Sequence, residues 1–166
     1  MIKTVHRYET IFDTAYMDRP GVKPLKPIRI EHEDDEAPVI VKKYLDAHWR
    51  IMAREPVGEL RHPFFVPGAT YSNLWDWDSF FTSCGAPDDG LEYARGSILN
   101  LLEGVRDDGR PPKMASPEGH YVFDSHPIPL HAQFAYLVAR RENDFAWIEP
   151  HWASLKAIRT WYERET

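Results

Sequence analysis

Trp75-Asp76-Trp77-Asp78 is the stretch whose residue types most directly suggest chemistry. Indole faces pack against the C–H faces of pyranose rings, and an ionised carboxylate accepts hydrogen bonds from paired sugar hydroxyls. A carbohydrate pocket needs both within reach of one ligand, and here they alternate at the mouth of an expected helix. The same residues have a plainer use, with Trp75 and Trp77 as core anchors and Asp76 or Asp78 capping the helix. Both uses stay open on the residues alone. His120, Asp124, His126 and His131 form a second cluster of types that ligate zinc or iron. The spacing fits no defined metal motif, and His131 falls inside an expected helix while the others lie in a loop. No metal and no cofactor is therefore expected. Cys84 lies on a short helix with no nucleophile motif around it and reads as a buried, inert thiol.

The elements that must position these residues are mostly helical. Residues 1–37 show no helical period, and Pro20, Pro24 and Pro27 interrupt both helices and central strands. They read as an extended arm with a short edge strand at Pro27 to Ile30, followed by acids at a helix entrance, where the macrodipole favours them. From Pro38 the pattern turns helical. Val41, Tyr44, Leu45, His48, Trp49 and Met52 share one face until Pro56 and Gly58. Residues 59–74 read as a loop, punctuated by Pro63, Pro67 and Gly68. A short helix is predicted from Asp76 to Cys84, and a third from Gly90 to Val105 with Leu91, Ala94, Ile98, Leu101, Leu102 and Val105 inward. The fourth spans Pro129 to Arg141. The fifth runs from Phe145 to Glu163 with Ile148, Trp152, Leu155, Ile158 and Tyr162 inward. Arg140 and Arg141 fall on a polar face. With at most one strand and no β–α–β alternation, the reading is all-α: an arm over residues 1–37 and a helical segment over 38–166.

Composition narrows the function. The chain has 166 residues, enough for one domain with a real core and no disulfides. Its net charge of −6, with no basic stripe, argues against nucleic acid as a partner. No apolar run approaches the roughly 20 residues of a membrane-spanning helix. Its first residues lack the apolar stretch of a signal peptide, so a cytoplasmic location is expected. The single cysteine excludes an internal disulfide.

Pro67-Gly68-x-x-Tyr71-x-x-x-Trp75-Asp76-Trp77-Asp78-Ser79-Phe80-Phe81 resembles a signature near the start of the (α/α)6-barrel domain in trehalase-like glycoside hydrolases. The likeness is to families 63 and 37, which include processing α-glucosidases, trehalases and mannosylglycerate hydrolases. It runs from about Val39 to Glu163, through the Asp108-Gly109-Arg110-Pro111 loop to the Trp161-Tyr162 pair. It implies a partial (α/α)6 toroid. It also implies that Tyr71, Trp75 and Asp78 line a sugar subsite, Asp78 holding hydroxyls and Trp75 forming a wall. Trp77 belongs to the same substrate-binding stretch; Asp76 and Trp77 are its weaker assignments, with a structural role as the alternative for both. His126, in Ser125-His126-Pro127-Ile128-Pro129, stands where such enzymes carry a glutamine.

The resemblance implies inverting hydrolysis of α-linked glucosides or mannosides, which needs a general acid and a general base. Neither Asp76 nor Asp78 matches those catalytic positions, and no segment before Thr166 matches either. The expectation is thus a glycoside hydrolase segment that binds a carbohydrate substrate. The remainder of the barrel or a second copy of the chain would be its partner. The alternative is a non-catalytic sugar-binding or interaction module, or a degenerate remnant that needs a partner chain.

Overall fold

The computed structural model describes residues 36–123 and 127–165. The expected arm, apart from residues 36 and 37, lies outside the described residues, as do its strand, Asp124 and His126. The described residues are mostly helical. Five helices carry them: α1 (Glu36–His48), α2 (Asp76–Gly85), α3 (Leu91–Glu103), α4 (His131–Glu142) and α5 (Trp152–Glu165). All-α is nevertheless corrected. Five strands of two or three residues form two small sheets: β1 (Ala53–Arg54) with β2 (Phe64–Phe65), and β3 (Leu74–Trp75), β4 (Met114–Ser116) and β5 (Gly119–Tyr121) in that order, all antiparallel. Runs this short show no alternation, so the sequence gives no period from which to read them. No helix among the described residues is long and apolar enough to cross a membrane.

α1 stops earlier than its apolar repeat suggests. It passes into a 3-10 turn at Trp49–Met52 and then into β1. Trp49 turns into the core, where its ring meets Phe65 and Tyr93 edge-on at 6.0 and 5.5 Å. Pro56 and Gly58, expected to end a helix, instead form the tip of the β1–β2 hairpin. Gly58 sits at φ +57, and a Cβ there would overlap the Pro117 carbonyl, so only glycine fits the approach.

The core forms around α3. One face of it, with Leu91, Ala94, Ile98, Leu101 and Leu102, is buried as its periodicity predicts, and α3 packs against both α2 and α4. A second face, with Gly96, Ser97 and Asn100, is equally buried against the segment entering β2. There the Asn100 carboxamide accepts from the His62 amide at 3.2 Å and donates to the His62 carbonyl at 2.9 Å. Ser97 Oγ accepts from the Phe65 amide at 2.8 Å. The edge of β2 that has no strand beside it among the described residues is therefore satisfied by helix side chains. A Cβ on Gly96 would overlap the Pro63 carbonyl, which is how close helix and strand lie.

α2 turns Asp76, Ser79, Phe80 and Ser83 inward, and Ser79 Oγ donates to the Phe65 carbonyl at 3.0 Å. Cys84 falls one position past that stripe and is exposed, which corrects the expected buried thiol. Arg141 also differs from its expected solvent-facing role. Its guanidinium donates to the carbonyls of Ser83 and Ala86 at 3.1 and 2.7 Å, satisfying the C-terminal end of α2. α4 closes on Asn143 in the left-handed conformation, with the Asp144 amide bonded to the Ala139 carbonyl at 3.0 Å. The expected fifth helix is split. Pro150 lies in a 3-10 segment, Ala146–His151, and α5 starts only at Trp152. Leu155, Ile158 and Trp161 are buried, whereas Trp152, expected inward, is 56% exposed.

His131, the first residue of α4, is 2% exposed, and neither ring nitrogen has a hydrogen-bond partner. Burial lowers its pKa from 6.5 to about 4.

Asn100→Ala leaves the His62 amide and carbonyl without partners in the interior and should cost about 3 kcal/mol in urea unfolding. An unchanged midpoint would show that the latch contributes nothing. The neutral form of His131 is favoured in the fold. Its contribution is complete above pH 6.5 and is lost as pH falls through about 4, because the unfolded chain then binds the extra proton. His131→Leu should therefore gain on the wild type by about 3 kcal/mol between pH 7 and pH 4. Paired denaturation curves at the two pH values check this.

Candidate functional site

β3 runs straight into α2, and Trp75 is the N-cap with extended backbone (φ −115, ψ 140) and no side-chain cap bond. Asp76 and Asp78 consequently occupy the first helical turn, where the positive end of the macrodipole favours carboxylates. The change from a period of two to one of 3.6 residues also fans the four side chains apart. Trp75 is half-buried, Asp76 is 4% exposed, Trp77 is 44% exposed and Asp78 is half-buried.

Trp75 stacks on Phe123, with centroids 5.9 Å apart and planes 18° from parallel. Phe123 is exposed, so this pair forms a flat aromatic platform at the surface. Trp77 leans instead on Phe81, one turn along α2, edge-on at 6.4 Å. Tyr71 is 53% exposed on the loop before β3. Arg54 holds that loop, donating to the carbonyls of Ala69 and Tyr71 at 2.8 and 3.0 Å and to those of Ile51 and Ala53 at 2.9 and 2.8 Å. A planar guanidinium with several fixed donors suits this four-carbonyl clamp. Trp75, Asp76 and Asp78 thus share the head of α2 with their side chains on different faces, Asp76 inward, and Trp77 leans on Phe81. His126 lies outside the described residues.

Phe123 is a platform residue that reading the sequence missed. The signal for it was Ser116-Pro117-Glu118-Gly119, a turn sequence between two short apolar runs, which predicts a hairpin leading to Phe123. Its backbone is fixed by Arg110, whose guanidinium donates to the Phe123 carbonyl and lies 5.6 Å from the centre of the Trp161 ring. Arg110 follows Gly109, which at φ +88 approaches the Ala157 carbonyl too closely for any Cβ. The Asp108–Pro111 loop therefore couples α5 to the platform.

Asp76 is the most perturbed acid here. Its amide donates to the Lys113 carbonyl at 3.0 Å, as a continuation of the β3–β4 ladder. Burial raises its carboxyl from 3.8 to about 6. The Trp77 amide and the Lys113 ammonium act in the opposite direction, while the Asp78 charge adds to the rise. Tyr162 reaches the same region from α5. Its hydroxyl donates to the Pro127 carbonyl at 2.8 Å, and its pKa is raised by burial and then by the Asp76 charge.

Among the described residues no three histidine, cysteine or carboxylate side chains are placed to hold a metal ion. His120 lies against Gly104 and donates through Nε2 to the Asn100 carbonyl at 2.8 Å. A cavity of about 610 Å³ opens elsewhere, between α4 and α5, lined by Tyr136, Phe145, Ile148, Trp152 and Arg159. It contains none of the residues that the sequence suggests for a site.

The chain is similar to curated periplasmic trehalases. It is 28% identical over 117 residues to that of Pseudomonas aeruginosa PAO1, covering 70% of this chain and 20% of that enzyme. To those of Escherichia coli O139:H28 and Shigella flexneri serotype 5b it is 24% identical over 115 residues, covering 64% of this chain and 20% of each enzyme. No protein-family model and no solved structure matches it. The match spans about a fifth of these relatives' length. The cytoplasmic location expected from the first residues is overturned by these relatives, whose names place them in the periplasm. The similarity is to trehalase-like glycoside hydrolases, at low identity and over part of a catalytic protein.

Proposed function

We propose that the chain forms the sugar-binding wall of a trehalase-like glycoside hydrolase that works in the periplasm on α-linked glucosides. The observation that carries this reading is the Trp75–Phe123 platform beside the two carboxylates of the first turn of α2. An aromatic face takes the apolar side of a pyranose ring, and Asp78 accepts its hydroxyls. Tyr71 borders this subsite, Trp77 extends it on the Phe81 ledge, and His126 contributes a further donor. The helices form the opening part of an (α/α)6 barrel. In single-displacement hydrolysis one carboxylic acid protonates the leaving oxygen while a second carboxylate activates water from the opposite face. The described residues are assigned binding and orientation, with the acid–base pair outside them.

A second reading, an interaction module, is favoured by the apolar cavity between α4 and α5, with Trp152 at its rim. It requires concentration-dependent association. Sedimentation that stays monomeric throughout, with no binding of a hydrophobic dye, dismisses it.

Titration with α,α-trehalose, followed by calorimetry and tryptophan fluorescence, tests the first reading. Asp78→Asn should weaken binding about 10- to 100-fold, the range for losing a hydrogen bond to a charged acceptor. Trp75→Ala should weaken it comparably and abolish most of the fluorescence response, and Trp77→Ala should do less. Equal affinity in all three variants would remove the platform from the function.

A further inference from the structure

The face made by α4, the Ala146–His151 segment and α5 leaves three large aromatic side chains half in solvent. Tyr136, Phe145 and Trp152 are 52%, 51% and 56% exposed, and all three line the cavity of about 610 Å³ between the helices. The Tyr136 and Phe145 rings lie together, with centroids 6.1 Å apart. The buried part of the lining, Ala135 and Leu155, is aliphatic. A single exposed apolar side chain is ordinary, but several around one apolar cavity with a charged rim form the pattern of a protein–protein contact.

The rim indicates the partner. Glu149, Trp152 and Lys156 all line the cavity and fall at i, i+3 and i+7, so they share one face. Glu149 and Lys156 are exposed, and neither has an ion-pair partner among the described residues. Arg159, the remaining charge on the rim, is held by Glu163 at 2.8 Å. The charges left over are thus one acid and one base, with no excess of either sign to attract an acidic or a basic partner. They stand roughly 10 Å apart along the helical axis and do not pair with each other. A two-fold axis supplies both partners at once, because in an isologous contact residue i meets residue j and j meets i. When two copies of α5 lie antiparallel, Glu149 of each opposes Lys156 of the other. Trp152, near the midpoint between them, then meets its own copy beside the axis.

We propose that this face is a two-fold interface between copies of the chain, with α5 antiparallel to α5, the Trp152 indoles beside the axis and two reciprocal Glu149–Lys156 pairs flanking them. The rings supply most of the affinity, and the charges set register and orientation. The proposal rests on the interaction-module reading above, whose partner it names, and it uses none of the sugar-site residues.

Sedimentation equilibrium on the chain as it stands tests it, with Glu149→Lys, Lys156→Glu, the double variant and Trp152→Ala. Wild type should dimerise reversibly. Each single swap opposes like charges twice in every dimer and should raise the dissociation constant about tenfold or more. The double variant re-forms both pairs with reversed polarity and should return to within about threefold of wild type. Trp152→Ala should weaken the dimer about tenfold or more. All three positions are exposed, so circular dichroism should not change. Should one single swap lose its helical signal, the other swap and Trp152→Ala decide: weaker association supports the interface, and unchanged association overturns it. A wild type that associates while both swaps stay within twofold overturns the symmetric pairing and leaves the module reading standing. Single swaps that weaken the dimer without rescue in the double variant overturn it as well. A wild type that stays monomeric at every concentration also overturns it. Binding of a hydrophobic dye to that monomer keeps the module reading for another partner, and no dye binding removes both.

Discussion

The rest of the structure depends on the way α3 holds the backbone of residues 62–65. Among the described residues β2 has a strand on only one side, and a buried peptide edge without partners would be strongly destabilising. Ser97 and Asn100 supply the missing donor and acceptors from one face of the helix, and the absence of a side chain at Gly96 permits the approach. The consequences spread outward. Phe64, Phe65 and Val66 are placed at the centre of the core, and β2 fixes β1 by pairing. The carbonyl of Phe65 then receives Ser79, so α2 is docked on the same strand. The head of α2, with its two carboxylates, is thereby positioned by hydrogen bonds made more than ten residues away in sequence.

A second chain of contacts sets the platform. Gly109 lets the Asp108–Pro111 loop touch α5, Arg110 lies over Trp161 and holds the Phe123 carbonyl, and Phe123 lies flat on Trp75. Sites held on rigid elements are more exact than sites on loops alone. Here both rings belong to or adjoin a three-stranded sheet whose register pairs Trp75 with Met114 and Met114 with Tyr121. Tyr71 lies on a loop, and the clamp from Arg54 fixes that loop's backbone through two carbonyls.

What was legible in the sequence followed physical periodicity. The apolar face of α3 could be read because its residues recur every 3.6 positions and all face the core. The second face of the same helix was not legible, because Gly96, Ser97 and Asn100 have no hydrophobic signature and act on a strand of two residues. Along α5 Leu155 and Ile158 are buried as their spacing suggests, whereas Trp152, its first residue after the 3-10 segment that carries Pro150, is exposed. Arg141 and Cys84 were misplaced for one reason: which face is polar depends on the neighbouring helix, and α2 ends against α4. In Trp75-Asp76-Trp77-Asp78 the residue types were informative. Their division between platform, interior and ledge needed the strand-to-helix change at Trp75, which no composition reveals.

Asp76 and His131 are both buried and unpartnered, yet their burial differs in consequence. An imidazole whose pKa falls to about 4 is neutral at pH 7, so its burial carries no ionised group into the interior. A carboxyl raised only to about 6 is still mostly ionised at pH 7. Its folded state holds the proton more tightly than the unfolded chain does, so stability is greatest below pH 3.8 and declines as pH rises through about 6. Through the interval from 4 to 6 the two groups therefore act in opposite directions, and at neutral pH only the acid still carries a cost of ionisation. His131 is consistent with a packing residue that happens to be polar. Asp76 is an acid kept inside the fold in the first turn of α2, where the positive end of the macrodipole and the Trp77 amide offset part of the cost of its charge.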